Sequence, residues 1–212
     1  ASSLRSLGTH ANVWAIESFM DELAHKANKD PLEFRLLHSE DVRAISCMQK
    51  LKTNLASVVV SEGEGLGYAF SRYKNTASYC AMAAQVSVDR SKGRLQVKKM
   101  WAVVDAGETI NPDGLRNQME GGMIQSASWA LKEEVRFNAK HVTSLDWNSY
   151  PILRFPDTPE VEVEIIDRVD QPPMGAGEAS QAPATAAIVN AIFDATGIRI
   201  RRLPVKSDLL KI

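Results

Sequence analysis

With 212 residues the chain can bury a real core as one large domain or two small ones, and 44% hydrophobic with 24% charged residues are ordinary globular values. A formal net charge of -1 gives no electrostatic case for nucleic acid or an anionic membrane. Two cysteines, Cys47 and Cys80, lie outside any CxxC or Cys/His cluster; they are too few for a disulfide scaffold and read as buried thiols. No apolar run approaches the ~20 residues of a membrane span, and nothing at the start resembles a signal peptide. Ala1 to Leu7, with no initiator Met, reads like mid-protein sequence, so a fragment or processed piece is expected.

From Ala11 to Ala27, Val13, Ile16, Phe19, Met20, Leu23 and Ala27 form a helical apolar stripe, with Glu17, Asp21, Glu22 and Lys26 on the other, solvent-facing side. Asp30-Pro31-Leu32-Glu33 starts a second helix, with an N-cap acid, proline at the first position and Glu at the third. Ser39-Glu40-Asp41 caps a third through Val42, Ile45 and Met48. Residues 53–67 are loosely patterned, and Ser61-Glu62-Gly63-Glu64-Gly65-Leu66-Gly67 reads as a flexible connector.

Strand patterning begins at Gly67. Tyr79–Val88 and Leu95–Val104 flank Asp89-Arg90-Ser91-Lys92-Gly93-Arg94, a hairpin signal. The turn-rich loop Asp105–Gly114 delivers the chain into a helix over 115–131, whose interior Gly121-Gly122 costs ~1 kcal/mol per glycine and so points to close approach of a backbone or ligand. Short strands are expected over 134–137, near Val142 and over 150–155, and a half-buried one over Val161, Val163 and Ile165. A helix over 185–196 is stopped by Gly197, and Ile198 and Ile200 suggest a last edge strand. The fold class is α+β: a helical N-terminal block followed by a mixed or antiparallel sheet packed with helices. The expected division is a helical segment 1–52, a linker 53–67 and an α+β part 68–212, together one compact fragment.

The stretch Met174-Gly175-Ala176-Gly177-Glu178-Ala179-Ser180-Gln181-Ala182-Pro183 links the strand pattern to the last helix. Its two glycines permit positive φ and a close approach to a ligand, and Glu178 stands alone at the tip. No GxGxxG or GxxxxGK[ST] phosphate loop, HExxH pair or GxSxG elbow occurs, and the four histidines are scattered. Three small-residue segments remain: Arg5-Ser6-Leu7-Gly8, Asn117-Gln118-Met119-Glu120-Gly121-Gly122 and Gly175-Ala176-Gly177-Glu178. Taken singly, Glu178 reads first as a carboxylate favoured by a helix N-terminus, Arg5 as a surface ion-pairing group, and Gln118 as a polar helix-face residue.

Their order carries a resemblance. Leu4-Arg5-Ser6-Leu7-Gly8, Glu17–Ala24, Asp30–Arg35, Asn111–Gln125, Ser149-Tyr150-Pro151-Ile152 and Gly175–Glu178 resemble the C-terminal part of the molybdenum-binding large subunit of the xanthine dehydrogenase/aldehyde oxidase family, in the branch of the isoquinoline 1-oxidoreductase β and nicotinate dehydrogenase B subunits. The resemblance implies oxidation of an aldehyde or N-heteroaromatic carbon with water as the oxygen source. It implies Glu178 as general base, and Gln118, Arg5, Gly8 and Gly177 at a molybdenum-pyranopterin, as molybdopterin or its cytosine dinucleotide form. The metal would be held by the pterin dithiolene and by no side chain. Ser6 departs from the commoner Gly, and Leu7 stands where some relatives carry an aromatic. A Gly-Gln-Gly-type cofactor loop is not found here. The expected partners are a 2Fe-2S small subunit and a cytochrome c subunit, and the chain alone is expected to be apo and inactive. The alternative is a cofactor-free scaffold or assembly domain with the same fold. The compartment stays open between the cytoplasm and a periplasmic membrane-associated complex.

Overall fold

The computed structural model describes residues 3–211; Ala1, Ser2 and Ile212, at the ends of the expected division, lie outside the described residues. Three helices come first: α1 (Thr9–Lys26), α2 (Pro31–Leu37) and α3 (Val42–Asn54). The caps read from the sequence operate as expected. Asp30 accepts from the backbone N–H of Leu32 and Glu33, and Asp41 from Arg43 and Ala44, satisfying donors that a helix start leaves open. Four strands follow, β1 (Glu64–Arg72), β2 (Tyr79–Asp89), β3 (Arg94–Asp105) and β4 (Glu160–Ile165), with α4 (Pro112–Leu131) before β4 and α5 (Gln181–Thr196) after it.

The sheet order is β1-β2-β3-β4; the first two pairings are antiparallel and β3-β4 is parallel, so the sheet is mixed. Helices cover both faces. Cys80, Met82 and Ala84 of β2 join Met119 and Met123 of α4 and Ile188 and Ile192 of α5 in one core. Tyr79, Ala81 and Ala83 point the other way, onto Cys47, Met48 and Leu51 of α3. Because strand side chains alternate, a strand buried on both faces reads as a nearly unbroken apolar run, as β2 does.

Several expectations need correction. The supposed connector 61–67 feeds straight into β1, which begins at Glu64. Its glycines serve contact rather than flexibility: a Cβ on Gly65 would lie 2.2 Å from the Ala191 carbonyl oxygen, and one on Gly67 2.1 Å from the Ala191 nitrogen. Every second position of β1 faces α5, so glycine there lets helix backbone rest on strand backbone. Helix α1 is turned from its expected orientation: Glu17 and Asp21 are buried, whereas Ile16 and Phe19 are more than half exposed. Burial of the acids is made tolerable by ion pairing. Glu17 accepts from Arg35 Nε at 2.7 Å and from the Phe70 N–H at 2.8 Å, and Asp21 pairs with Arg199 at 2.6 Å. Of the short strands expected after α4, only an isolated Phe137–Val142 bridge forms. Residues 150–155 and 198–200 are not strands.

Candidate functional site

The three small-residue segments meet. Arg5 sits just before α1, Gln118 on the second turn of α4, and Gly177 and Glu178 in the loop that leads into α5. The Gly177 carbonyl is the meeting point. It accepts from Arg5 Nε at 3.0 Å, Arg5 Nη2 at 2.7 Å and Gln118 Nε2 at 2.8 Å. Arg5 Nη2 also donates to the Gln118 carbonyl at 2.9 Å, and Nη1 to Gln125 Oε1 at 3.3 Å. The guanidinium thus spends most of its donors within the chain, and it fixes a loop rather than reaching outward. Gly8 is the N-cap of α1, with ordinary right-handed backbone, and joins none of these bonds.

The glycine pair in α4 has a definite cause at one position. A Cβ on Gly122 would lie 2.2 Å from Ser180 Oγ, which itself donates to the Met119 carbonyl at 2.8 Å. The bond from the Ser180 hydroxyl to the Met119 carbonyl therefore fits in this place because residue 122 lacks a side chain. The expected positive φ at Gly175 and Gly177 is not found. Left-handed backbone occurs instead at Ser6 (φ 69°) and Leu7 (φ 51°). A non-glycine residue there costs roughly 1 kcal/mol, and the site gains the placement of the Ser6 N–H.

That N–H donates to Glu178 Oε1 at 2.7 Å, and the Tyr73 hydroxyl donates to Oε2. The Tyr73 bond, followed by the Ser6 N–H and the nearby charges of Lys74 and Arg5, holds the Glu178 carboxyl below the usual carboxylate value against the opposing effect of burial. The Tyr73 phenol moves the other way, pushed up to about 12 by burial and by its bond to Glu178. Sequence reasoning missed Tyr73. It lies 105 residues from Glu178 at the end of β1, and no spacing rule joins them. The turn that carries it contained the one available hint, a Lys-Asn-Thr run closing a strand.

Beside these groups lies an open cleft of about 270 Å³ whose walls include Thr109, Asn111, Gln118, Met174 and Gly177. A larger hollow of about 620 Å³ lies between β3 and the chain's end and is lined by none of the predicted site residues. The smaller cleft is the candidate, because Gln118 and Gly177 of the cluster described above line it. Its wall offers the Gln118 amide and exposed Gly177 backbone to a polar, flat ligand. The fixed Glu178 carboxylate follows Gly177 in the chain and does not itself line the cleft.

Comparison with known proteins gives these segments a context. The sequence model of the molybdopterin cofactor-binding domain matches residues 1–159, ending before Glu178. The B subunit of nicotinate dehydrogenase from Pseudomonas putida is 40% identical over 227 residues, spanning 100% of this chain and 19% of that protein. The β subunit of isoquinoline 1-oxidoreductase from Brevundimonas diminuta is 32% identical over 216 residues, 99% of this chain and 27% of that one. The chain therefore spans well under a third of the length of these curated relatives. Among solved structures, the aldehyde oxidoreductase of Desulfovibrio gigas superposes with a TM-score of 0.84 over 99% of this chain and 41% of its own, at 16% identity, which speaks for the fold alone. On the extent of the sequence match, the chain belongs to the molybdopterin cofactor-binding domain family.

Proposed function

We propose that the protein containing this segment oxidises an aldehyde or N-heteroaromatic carbon with water as the oxygen source, and that Glu178 is the general base. The observation that carries the reading is the Glu178 carboxylate, anchored on both oxygens and set one residue after a backbone carbonyl that Arg5 and Gln118 both grip. The names of the relatives supply the substrate classes: one is a nicotinate dehydrogenase, one acts on isoquinoline, and the structural neighbour is an aldehyde oxidoreductase.

The residues present fit a molybdenum-pyranopterin, as molybdopterin or its cytosine dinucleotide form, along one wall. The Gln118 side chain is exposed and uses one amide N–H on Gly177, which leaves its oxygen and second N–H to face a ligand. Among the described residues the Thr109 hydroxyl, which lines the same cleft and is shielded from solvent, has no hydrogen-bond partner, and a Cβ at Gly175 would meet nothing within 4 Å. Gln118, Thr109 and Gly177 would hold the group, while Arg5 keeps the Gly177 loop in place behind them. When bound, it would supply a two-electron redox centre for chemistry with water-derived oxygen. Glu178, held below the usual carboxylate pKa and so ionised at neutral pH, would be the group that takes up a proton beside it. The loop fixes where the acceptor stands, which is the positional demand of such a step.

Electrons would leave through 2Fe-2S clusters on a partner protein, with a cytochrome c subunit as a further acceptor. Both relatives are named as subunits, which supports a multi-subunit assembly. A 2Fe-2S cluster takes four thiolates, and the two cysteines here are buried in the separate cores on opposite faces of the sheet.

The test is Glu178→Gln in the complete protein, with molybdenum and pterin content measured beside turnover of N-heteroaromatics and aldehydes. The expected result is unchanged cofactor content and turnover lower by roughly 10²–10⁴-fold, the contribution of a positioned base. Wild-type turnover in the variant would overturn the assignment of the base. A complete protein that carries no molybdenum or pterin would favour the cofactor-free scaffold.

A further inference from the structure

We propose that Tyr73 is a positioning residue for the Glu178 carboxylate: its hydroxyl fixes one carboxylate oxygen while the Ser6 N–H fixes the other, setting the direction in which the base presents its remaining lone pairs. The inference rests on the reading of Glu178 as base. A carboxylate has about four acceptor sites on two oxygens. One donor on each oxygen leaves each with a site for an incoming proton, but removes the freedom of the carboxyl group to turn about its last torsion, which is otherwise broad.

The turn bearing Tyr73 is built onto the glycine-rich loop at a second point. Ser78 donates to the Gly175 carbonyl through both its N–H, at 3.3 Å, and its hydroxyl, at 2.8 Å. The Tyr73 N–H in turn donates to the Ser78 carbonyl at 3.0 Å, which closes the turn. Within it, Lys74 and Asn75 take left-handed backbone at φ 51° and 58°, a conformation that non-glycine residues rarely adopt. The turn is thus held in an unfavourable shape with its tyrosine on the carboxylate and its serine on the loop. The charged and titratable groups facing Glu178 are Arg5 from the segment before α1, and Tyr73 and Lys74 from the turn after β1.

Three variants test the pairing by a readout other than turnover. In the complete protein, ¹³C-labelled Glu and Tyr side chains are titrated by NMR. Tyr73→Phe removes a donor to the charged form, so Glu178 titrates at a higher pH than in the parent chain. Reciprocally, Glu178→Gln brings the Tyr73 phenol down from about 12 towards the ordinary value of about 10. Ser78→Ala removes one anchor of the turn, the hydroxyl bond to the Gly175 carbonyl, and moves both titrations in the same directions by less. In the complete, cofactor-loaded protein, Tyr73→Phe lowers kcat by about 10- to 100-fold with little change in KM, the signature of a misplaced acceptor. It also moves the acid limb of the kcat/KM profile to higher pH. Titrations that ignore both substitutions overturn the inference, whatever the activity. If Glu178→Gln abolishes turnover while Tyr73→Phe leaves kcat and the pH profile at parent values, Tyr73 is structural only and the base assignment stands. If Glu178→Gln keeps full turnover, the base assignment fails and the positioning role fails with it, even where the two titrations remain coupled.

Discussion

Replacing Gly67 with alanine places a methyl carbon 2.1 Å from the Ala191 nitrogen, 2.3 Å from the Ala187 carbonyl oxygen and 2.7 Å from the Asn190 carbonyl carbon. Atoms of this kind rest at about 3.5–4.0 Å, so the overlap exceeds about 1 Å, and all three neighbours are helix backbone. Overpacked cores that can shift a side chain lose about 1–3 kcal/mol. Here no side chain can turn aside, and α5 must lift from β1, so the loss should reach at least the upper end, ~3 kcal/mol. For a chain of this size each kcal/mol lowers Tm by about 2–4 °C, which gives a fall of about 6–12 °C. Gly175→Ala is the matched control: nothing lies within 4 Å of the new methyl group, and its φ is not left-handed. It should be neutral or stabilising by a few tenths of a kcal/mol, because alanine reduces the freedom of the unfolded chain. Thermal unfolding followed by circular dichroism measures both. Equal Tm values for the two variants would refute the close approach of α5 to β1, and with it the reason given for the glycines of β1.

Asp105 is fully buried between Arg43 and Arg168, with the Gly107 N–H on one oxygen at 3.1 Å. Burial pulls its pKa up, but the bonds from the two arginines and Gly107 hold it below the ordinary value. The stabilisation is therefore complete above the unfolded pKa of about 3.9 and is lost as pH falls through the lower folded value. Asp105→Asn should cost roughly 3–5 kcal/mol at pH 7 by leaving two arginines facing a neutral group. In urea melts run from neutral to strongly acidic pH, the variant should also lose stability less steeply on acidification than the parent. Burial pushes the Cys47 thiol up to about 12 and the Cys80 thiol higher still. Both should react with a thiol reagent at neutral pH only as fast as the chain opens, and promptly once denatured. Fast native labelling of either would contradict the two-sided core.

Two helix starts were legible because caps are local: Asp30 and Asp41 each satisfy donors two or three residues ahead. The hairpin between β2 and β3 and the Gly197 stop, at φ 74°, were legible for the same reason. The start of α4 was not: it begins at Pro112, capped by Asn111, inside the stretch read as a loop to Gly114. Nor was the orientation of α1. Its buried acids depend on Arg35 and Arg199, the latter from beyond α5, and a hydropathy pattern treats an acid as solvent-facing. The glycines of β1 misled in the opposite sense, because the residue that permits a flexible loop also permits backbone contact. At the candidate site, residue types in order pointed to Arg5, Gln118, Gly177 and Glu178. The sequence held no indication that Arg5 turns inward onto Gly177, or that Tyr73 reaches the carboxylate. Both facts belong to packing rather than to pattern.

The Ser6–Glu178 bond spans 172 residues, and the Tyr73 and Gln118 contacts reach back to the same late loop. Protein synthesis runs from the first of these residues to the last, at about 5–20 residues per second. For most of that time Arg5, Ser6, Tyr73 and Gln118 exist without the loop they hold. A chain cut short before Gly177 would keep all four and have nothing to close upon. The surface that gathers these groups therefore comes into being only when the end of the segment folds back onto its beginning. Any ligand of that surface meets it only after this closure, and its retention reports that the early and late parts of the segment have come together.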